Sequence, residues 1–204
     1  NRADVALPDG VGLVWASRFL ALTHGHTDTW RHIHRIPGVE FMEDLIELAS
    51  NQGYPVALIG GRRGLAVEAL ECLSRRRAGL AGWAEDGPET QMTNENQYFK
   101  QLAKRIVDSG TRMVFVGLGA PKQEYVIARL ARQFPISNFQ FPIVFMAVGG
   151  SFDIIAGRTP RAPLFMRNFG LEWFWRLVRQ PWRIRRQLAL VRFIFLVLQQ
   201  KLRV

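Results

Sequence analysis

Four apolar residues, Met113-Val114-Phe115-Val116, run directly into Gly117-Leu118-Gly119-Ala120-Pro121-Lys122-Gln123-Glu124. The run is short and rich in β-branched and aromatic side chains, the pattern of a strand buried on both faces. Its glycines permit a tight turn and a close backbone approach. Pro121 stands where a helix would begin, and Lys122 to Arg132 has helical spacing. Strand, glycine turn and helix in succession constrain the fold more than any other stretch. The free N–H groups of such a turn suit a phosphate or a sugar hydroxyl. The same pattern also describes an ordinary βα turn, and the residues alone leave both readings open.

Two further copies of the arrangement follow from the same reasoning. Val56-Ala57-Leu58-Ile59 precedes Gly60-Gly61-Arg62-Arg63-Gly64, and a helix is expected over about 65–77. Pro142 to Val148 precedes Gly149-Gly150-Ser151-Phe152-Asp153. Asp4 to Leu7 reads as a short strand ahead of Pro8-Asp9-Gly10 and a helix over about 11–22. Further helices are expected over about 41–52, with Phe41, Leu45, Ile46 and Leu48 on the inner side, and over about 97–108. Residues 78–96 read as loop with at most a short strand. Strands alternating with helices imply an α/β fold: a Rossmann-like, mostly parallel sheet with helices on both faces.

Residues 161–204 carry ten Lys or Arg and one acid, Glu172, so nine of the ten net positive charges fall there. A near-neutral body with a basic, apolar tail argues against a protein that binds nucleic acid over its whole surface. It favours a tail that meets an anionic surface or ligand. From Arg158 the composition changes, through Thr159-Pro160-Arg161-Ala162-Pro163, to Trp173, Phe174, Trp175 and Trp182 among arginines. Leu188 to Leu198 is apolar apart from Arg192, and shorter than the roughly 20 residues of a membrane span. As a helix it shows a narrow polar stripe of Arg185, Arg192, Gln199 and Arg203, which suits a bilayer interface or packing on a partner. Arg176, Arg179, Arg183 and Arg186 would share one helical face, provided Pro181 does not break the helix.

Several chemistries lack their signatures. The Rossmann dinucleotide fingerprint is incomplete, because Lys122 stands where a third glycine belongs. No Walker A motif, G-x-S-x-G elbow or D-x-D pair occurs. A nucleotide-dependent dehydrogenase or kinase, or a non-catalytic basic module, remains as an alternative. An enzyme that cleaves a nucleotide diphosphate without a D-x-D pair would use arginines for the charge a metal takes elsewhere. His24, His26, His32 and His34 lie in one stretch, but no carboxylate or Cys pattern completes a metal site, and an exposed polar loop is expected. The single Cys72 excludes an internal disulfide and fits a reducing compartment. No signal-peptide pattern precedes the first strand-like residues. Asp9 is read either as the cap of the first helix or as a group at the ligand-binding rim of the sheet.

The motifs together resemble one family. Pro8-Asp9-Gly10, Arg35-Ile36-Pro37-Gly38-Val39, Leu58-Ile59-Gly60-Gly61, Val116 to Glu124, Gly149 to Asp153, Arg161-Ala162-Pro163, Leu171 to Leu177 and Pro181-Trp182-Arg183 occur in this order. The series, covering nearly the whole chain, is similar to the WecG/TagA/CpsF glycosyltransferase family. The resemblance implies a Rossmann-like catalytic domain over 1–157 and a basic helical appendage over 158–204. Members normally carry a further βα segment ahead of the Pro-Asp-Gly turn, so the domain here is expected to lack it.

The implied activity is metal-independent, inverting transfer of a sugar from a UDP-sugar to a polyprenyl-diphosphate-linked sugar. The sugar is of N-acetylmannosamine, N-acetylmannosaminuronic acid or glucose type. The place is the inner face of the bacterial cytoplasmic membrane, in the synthesis of teichoic acid linkage units, exopolysaccharide or related surface polymers. By the same resemblance, Asp9 is the general base, Gln123 a sugar-binding amide and Arg35 a pocket cation. Arg176, Arg183 and Arg186 meet the leaving UDP. Gly10, Gly60, Gly61, Gly117, Gly119, Pro121, Glu124, Gly149, Gly150, Ser151 and Asp153 complete the candidate substrate site. No cofactor or metal is implied. The expected partners are the UDP-sugar, the lipid-linked acceptor and, through 158–204, an anionic membrane surface. Nucleic acid is not among them, and homo-oligomerisation stays open.

Overall fold

The computed structural model describes residues 3–24, 33–88, 95–134, 142–179, 181 and 184–202. The chain forms two compact units. One is Val39–Pro160, and the other joins Asn1–Gly38 to Arg161–Val204. Residues 1–38 group with the C-terminal segment.

The larger unit is a four-stranded parallel sheet of β1 (Val56–Gly60), β2 (Gly82–Glu85), β3 (Met113–Gly117) and β4 (Val144–Ala147), in the order β2-β1-β3-β4. Five consecutive residues of β1 are buried, as are the first four of β3, because these central strands are covered on both faces. Helix α2 (Gly38–Gln52), α3 (Leu65–Arg76) and the short α6 (Ser151–Ile155) cover one face around Met42, Ile46, Leu58, Leu73, Phe115 and Phe152. Helices α4 (Glu95–Asp108) and α5 (Lys122–Ala131) cover the other around Ile59, Phe99, Ile106, Val116 and Leu130. The α/β, Rossmann-like reading holds.

Particular expectations shift. Helix α2 buries Met42, Ile46 and Ala49, while Leu48 is 46% exposed. Its apolar stripe is wide enough for two registers, and the neighbouring α3 and sheet select the second. The run ending at Val148 is less buried than expected: β4 is an edge strand, and Val144 is 43% exposed. The other edge, β2, is the short strand that the reading of residues 78–96 allowed. There the Trp83 indole N–H donates to Ser109 and Thr111, and Arg105 lies 4.0 Å over the Trp83 ring while pairing with Glu85. Side chains thereby flank an edge that would otherwise invite a further strand. Tyr98 donates to the same Glu85, and burial, followed by that carboxylate, raises its phenol well above its ordinary value.

In the smaller unit the expected strand over Asp4–Leu7 does not form. Residues 4–6 are exposed, Val5 at 73%, and all four strands of the sheet come from the other unit. A strand needs a neighbour to satisfy its N–H and C=O groups, and among the described residues no strand pairs with this segment. Helix α1 (Val11–His24) contacts the long α9 (Ile184–Leu202), and Gly12 faces Leu190. Between Pro160 and α9 lie α7 (Leu164–Asn168) and α8 (Glu172–Arg179). The single arginine-bearing helix that the spacing allowed is broken: α8 stops at Arg179 and α9 starts at Ile184, with Pro181 between them. Proline lacks the N–H a continuing helix requires.

Candidate active site

In the larger unit the three glycine turns leave the same, C-terminal, edge of adjacent strands β1, β3 and β4. The chain passes from β1 outward to β2 and from β3 outward to β4, so the strand order reverses between β1 and β3. Ligands of open α/β sheets bind at such a switch point. Gly60 sits there with φ 124°, and a Cβ on it would lie 2.8 Å from the backbone of Gly117. A Cβ on Gly117 would in turn strike the Phe152 ring at 2.6 Å. Gly61 N–H donates to the Gly117 carbonyl at 3.1 Å. The first two turns therefore need glycine because they pack on each other. Gly119 differs: it adopts φ 76°, with open space around it.

Gln123 ties the second turn to the third. It is 8% exposed, and its Oε1 accepts the Gly149 N–H at 3.0 Å while Nε2 donates to Glu124 at 3.0 Å. An amide N–H can only donate, so oxygen must face Gly149. Ser151 is buried and its hydroxyl donates to the Val148 carbonyl, which closes the Gly149-Gly150 turn onto α6. Pro121 precedes α5 after a cis Ala120–Pro121 bond, and its carbonyl accepts the Tyr125 N–H. Lys122, at the place of the missing third glycine, donates to the Pro88 carbonyl at 2.6 Å. Gly87 beside it has no room for a side chain, since a Cβ would meet Leu118 at 2.4 Å. Lys122 and Gly87 thus hold the chain after β2 over the central turn.

The arginine-bearing turn after β1 is held from two sides. Gly64 N–H donates to Asp86, and Arg158 donates to the Arg63 carbonyl and to Glu68. The Arg158 hydrogen bond holds the Glu68 carboxyl below its ordinary value. Arg62 and Arg63 themselves are exposed. Asp153 is half-buried on α6, and the Arg158 guanidinium feels its charge.

Asp9, Gly10 and Arg35 belong to the smaller unit. The Leu13 and Val14 N–H groups of α1 donate to the Gly10 carbonyl, and the Asp9 carboxylate pairs with Arg35. Arg35 Nε donates to the Asp9 backbone carbonyl at 2.8 Å, and the Ile36 N–H donates to the Pro8 carbonyl. These two bonds fix the segments 8–9 and 35–36 against each other. The Arg35 Nη2 then faces two carboxylates: Glu172 at 3.0 Å and Asp9 at 3.8 Å. Glu172 is 12% exposed and Asp9 61%. The carboxylate of Asp9 thus faces solvent beside a cation whose close partner is another acid. A Cβ on Gly38 would approach Asp9 Oδ2 at 3.5 Å, so glycine leaves room around that oxygen.

Arg176 stands one turn after Glu172 on α8, and Arg186 stands on the first turn of α9. Their side chains, and Arg183 as a whole, lie outside the described residues, as do His26 and His32. Among the described residues no three His, Cys, Asp or Glu side chains group as metal ligands. Glu172 was not a site candidate from sequence. Its being the one acid of a basic segment was a signal, but its partner is 137 residues away.

No helix among the described residues is long and apolar enough to cross a membrane. The smaller unit nevertheless exposes Phe165, Phe169, Phe174, Val191 and Phe195 beside its arginines. The model of the glycosyl transferase WecG/TagA/CpsF family matches residues 1–204, the whole length given. The chain therefore belongs to the WecG/TagA/CpsF family of glycosyltransferases, which act in cell-surface polysaccharide and teichoic acid synthesis.

Proposed function

We propose that this glycosyltransferase inverts the anomeric centre in one displacement, with a UDP-sugar as donor and a polyprenyl-diphosphate-linked sugar as acceptor. The observation that carries the reading is the state of Asp9: a carboxylate 61% exposed, its backbone anchored by Arg35, and its ion pair among the described residues made with Arg35. An acceptor hydroxyl attacks the anomeric carbon, the bond from that carbon to the UDP oxygen breaks, and the hydroxyl proton passes to Asp9. Arg176, Arg183 and Arg186 neutralise the departing diphosphate, and no divalent ion is required. The glycine turns after β1, β3 and β4 form the nucleotide-sugar platform, and the second N–H of Gln123 addresses a sugar hydroxyl. The exposed aromatic and basic surface of residues 161–202 supports peripheral docking on an anionic bilayer.

The test is Asp9→Asn. With UDP-N-acetylmannosamine, its uronic acid and UDP-glucose screened against a short polyprenyl-diphosphate sugar, the variant is expected to bind UDP as the parent does. Its kcat should fall by about 10²–10⁴, the usual contribution of a positioned base. Turnover at the parent rate would remove Asp9 from the mechanism, and loss of turnover in EDTA would remove the metal-free reading.

A further inference from the structure

We infer that Glu172 is a positioning residue: it takes the close contact with Arg35 Nη2 and leaves the Asp9 carboxylate the longer one. The catalytic consequence rests on the assignment of Asp9 as base, whereas the electrostatic claim does not. Arg35 is held at its Nε by the Asp9 carbonyl, which leaves its outer nitrogens to choose a partner. Nη2 chooses Glu172, at 3.0 Å, over Asp9, at 3.8 Å. The choice follows from burial. Glu172 is 12% exposed and gains more from a close cation than Asp9, which is 61% exposed and solvated by water. Glu172 also opens α8, where the positive end of the helix favours a carboxylate.

Among the described residues the ionic partner of Asp9 is Arg35, from the segment before α2; Glu172, from α8, shares that cation; and the N-terminus of α1 lies next in sequence. A guanidinium bound directly to a carboxylate lowers its pKa by about 1–3 units and disables it as a base near neutrality. Glu172 takes the 3.0 Å contact, so Nη2 stays 3.8 Å from Asp9 while Nε anchors the Asp9 backbone. A neutral residue at 172 would let Nη2 close further on Asp9 and weaken it as a base.

The experiment is a carboxyl carbon NMR titration of Asp9 in the full chain, needing no substrate. In Glu172→Gln the Asp9 pKa is expected to fall by about one unit. In an Arg35→Gln background the same substitution should lower it by half that or less, since the cation that Glu172 holds is gone. A rise, no change, or a fall of similar size in both backgrounds overturns the inference. Glu172→Asp, which keeps the charge but withdraws it by one methylene, should shift Asp9 in the same direction by less. It carries the test, against the same Arg35→Gln background, if Glu172→Gln does not fold. Turnover separates the two claims: if Asp9→Asn is fully active, the base assignment falls while the titration result stands.

Discussion

Replacing Gln123 by Leu isolates the bond that joins the second and third glycine turns. The two side chains are similar in volume, and the site is 8% exposed, so the substitution removes polar bonds without opening a cavity. The Gly149 N–H loses its acceptor, and the half-buried turn gives water partial access to it. A lost hydrogen bond contributes about 1 kcal/mol, and an incompletely resolvated donor adds to that. The Nε2 bond to Glu124 lies nearer the surface and adds little. The expected loss is about 1–2 kcal/mol. With a urea m value of about 2 kcal/mol/M, the unfolding midpoint falls by about 0.5–1 M. Equilibrium urea unfolding followed by tryptophan fluorescence and by circular dichroism measures it, and coincident transitions license the two-state conversion. Gln123→Glu supplies a signed control. Its carboxylate can accept from Gly149 but meets the Glu124 carboxylate, so repulsion raises its folded pKa. That variant is destabilised at neutral pH and recovers as pH falls through the carboxylate range. A Leu variant whose midpoint moves by less than about 0.2 M at unchanged m would refute the linkage of the turns through this amide.

Further outcomes follow from the same structure. Gly60→Ala combines a forbidden φ with a 2.8 Å backbone clash and should cost about 3 kcal/mol or more, whereas Gly64→Ala, at φ 73° in open space, should cost about 1 kcal/mol in thermal unfolding. Equal costs would show that the turns do not pack as described. Arg158→Gln tests a pH window. The Glu68 carboxyl is lowered on folding, so the pair stabilises above the ordinary carboxyl value, and that contribution disappears as pH falls through the lowered one. The stability gap between parent and variant should therefore narrow from pH 7 to pH 3, and a gap of constant size would contradict the assignment. Flotation with anionic liposomes should recover the full chain but not one ending at residue 160. Equal recovery would deny the C-terminal segment its docking role.

Much of the body was legible because its signals are local. An apolar run of four or more residues followed by a glycine turn recurs three times, twice with a periodic helix after it, and each unit reports on itself. Distance along the chain is where legibility ended. The 41–52 helix carried two adjacent apolar registers, and only contact with α3 and the sheet decides between them. Asp4 to Leu7 had the composition of a strand, yet a strand exists only if another supplies its hydrogen bonds. Gln123 was read, by the family resemblance, as a sugar-binding amide, and nothing nearby in sequence shows the Gly149 N–H that its oxygen also accepts.

What the amino-acid order determined by itself was the class of fold, the edge of the sheet from which the glycine turns emerge, and the family. The first two rest on short-range steric and hydrophobic rules, and the third on the resemblance of an ordered series of motifs. What tertiary structure alone decided was which charges meet. Glu172 and Arg35 are far apart in the chain and carry no mark of each other, and the exposure of Asp9 depends on which acid that guanidinium takes. Coulomb energies depend on separation and burial in space, and neither quantity is written in residue spacing.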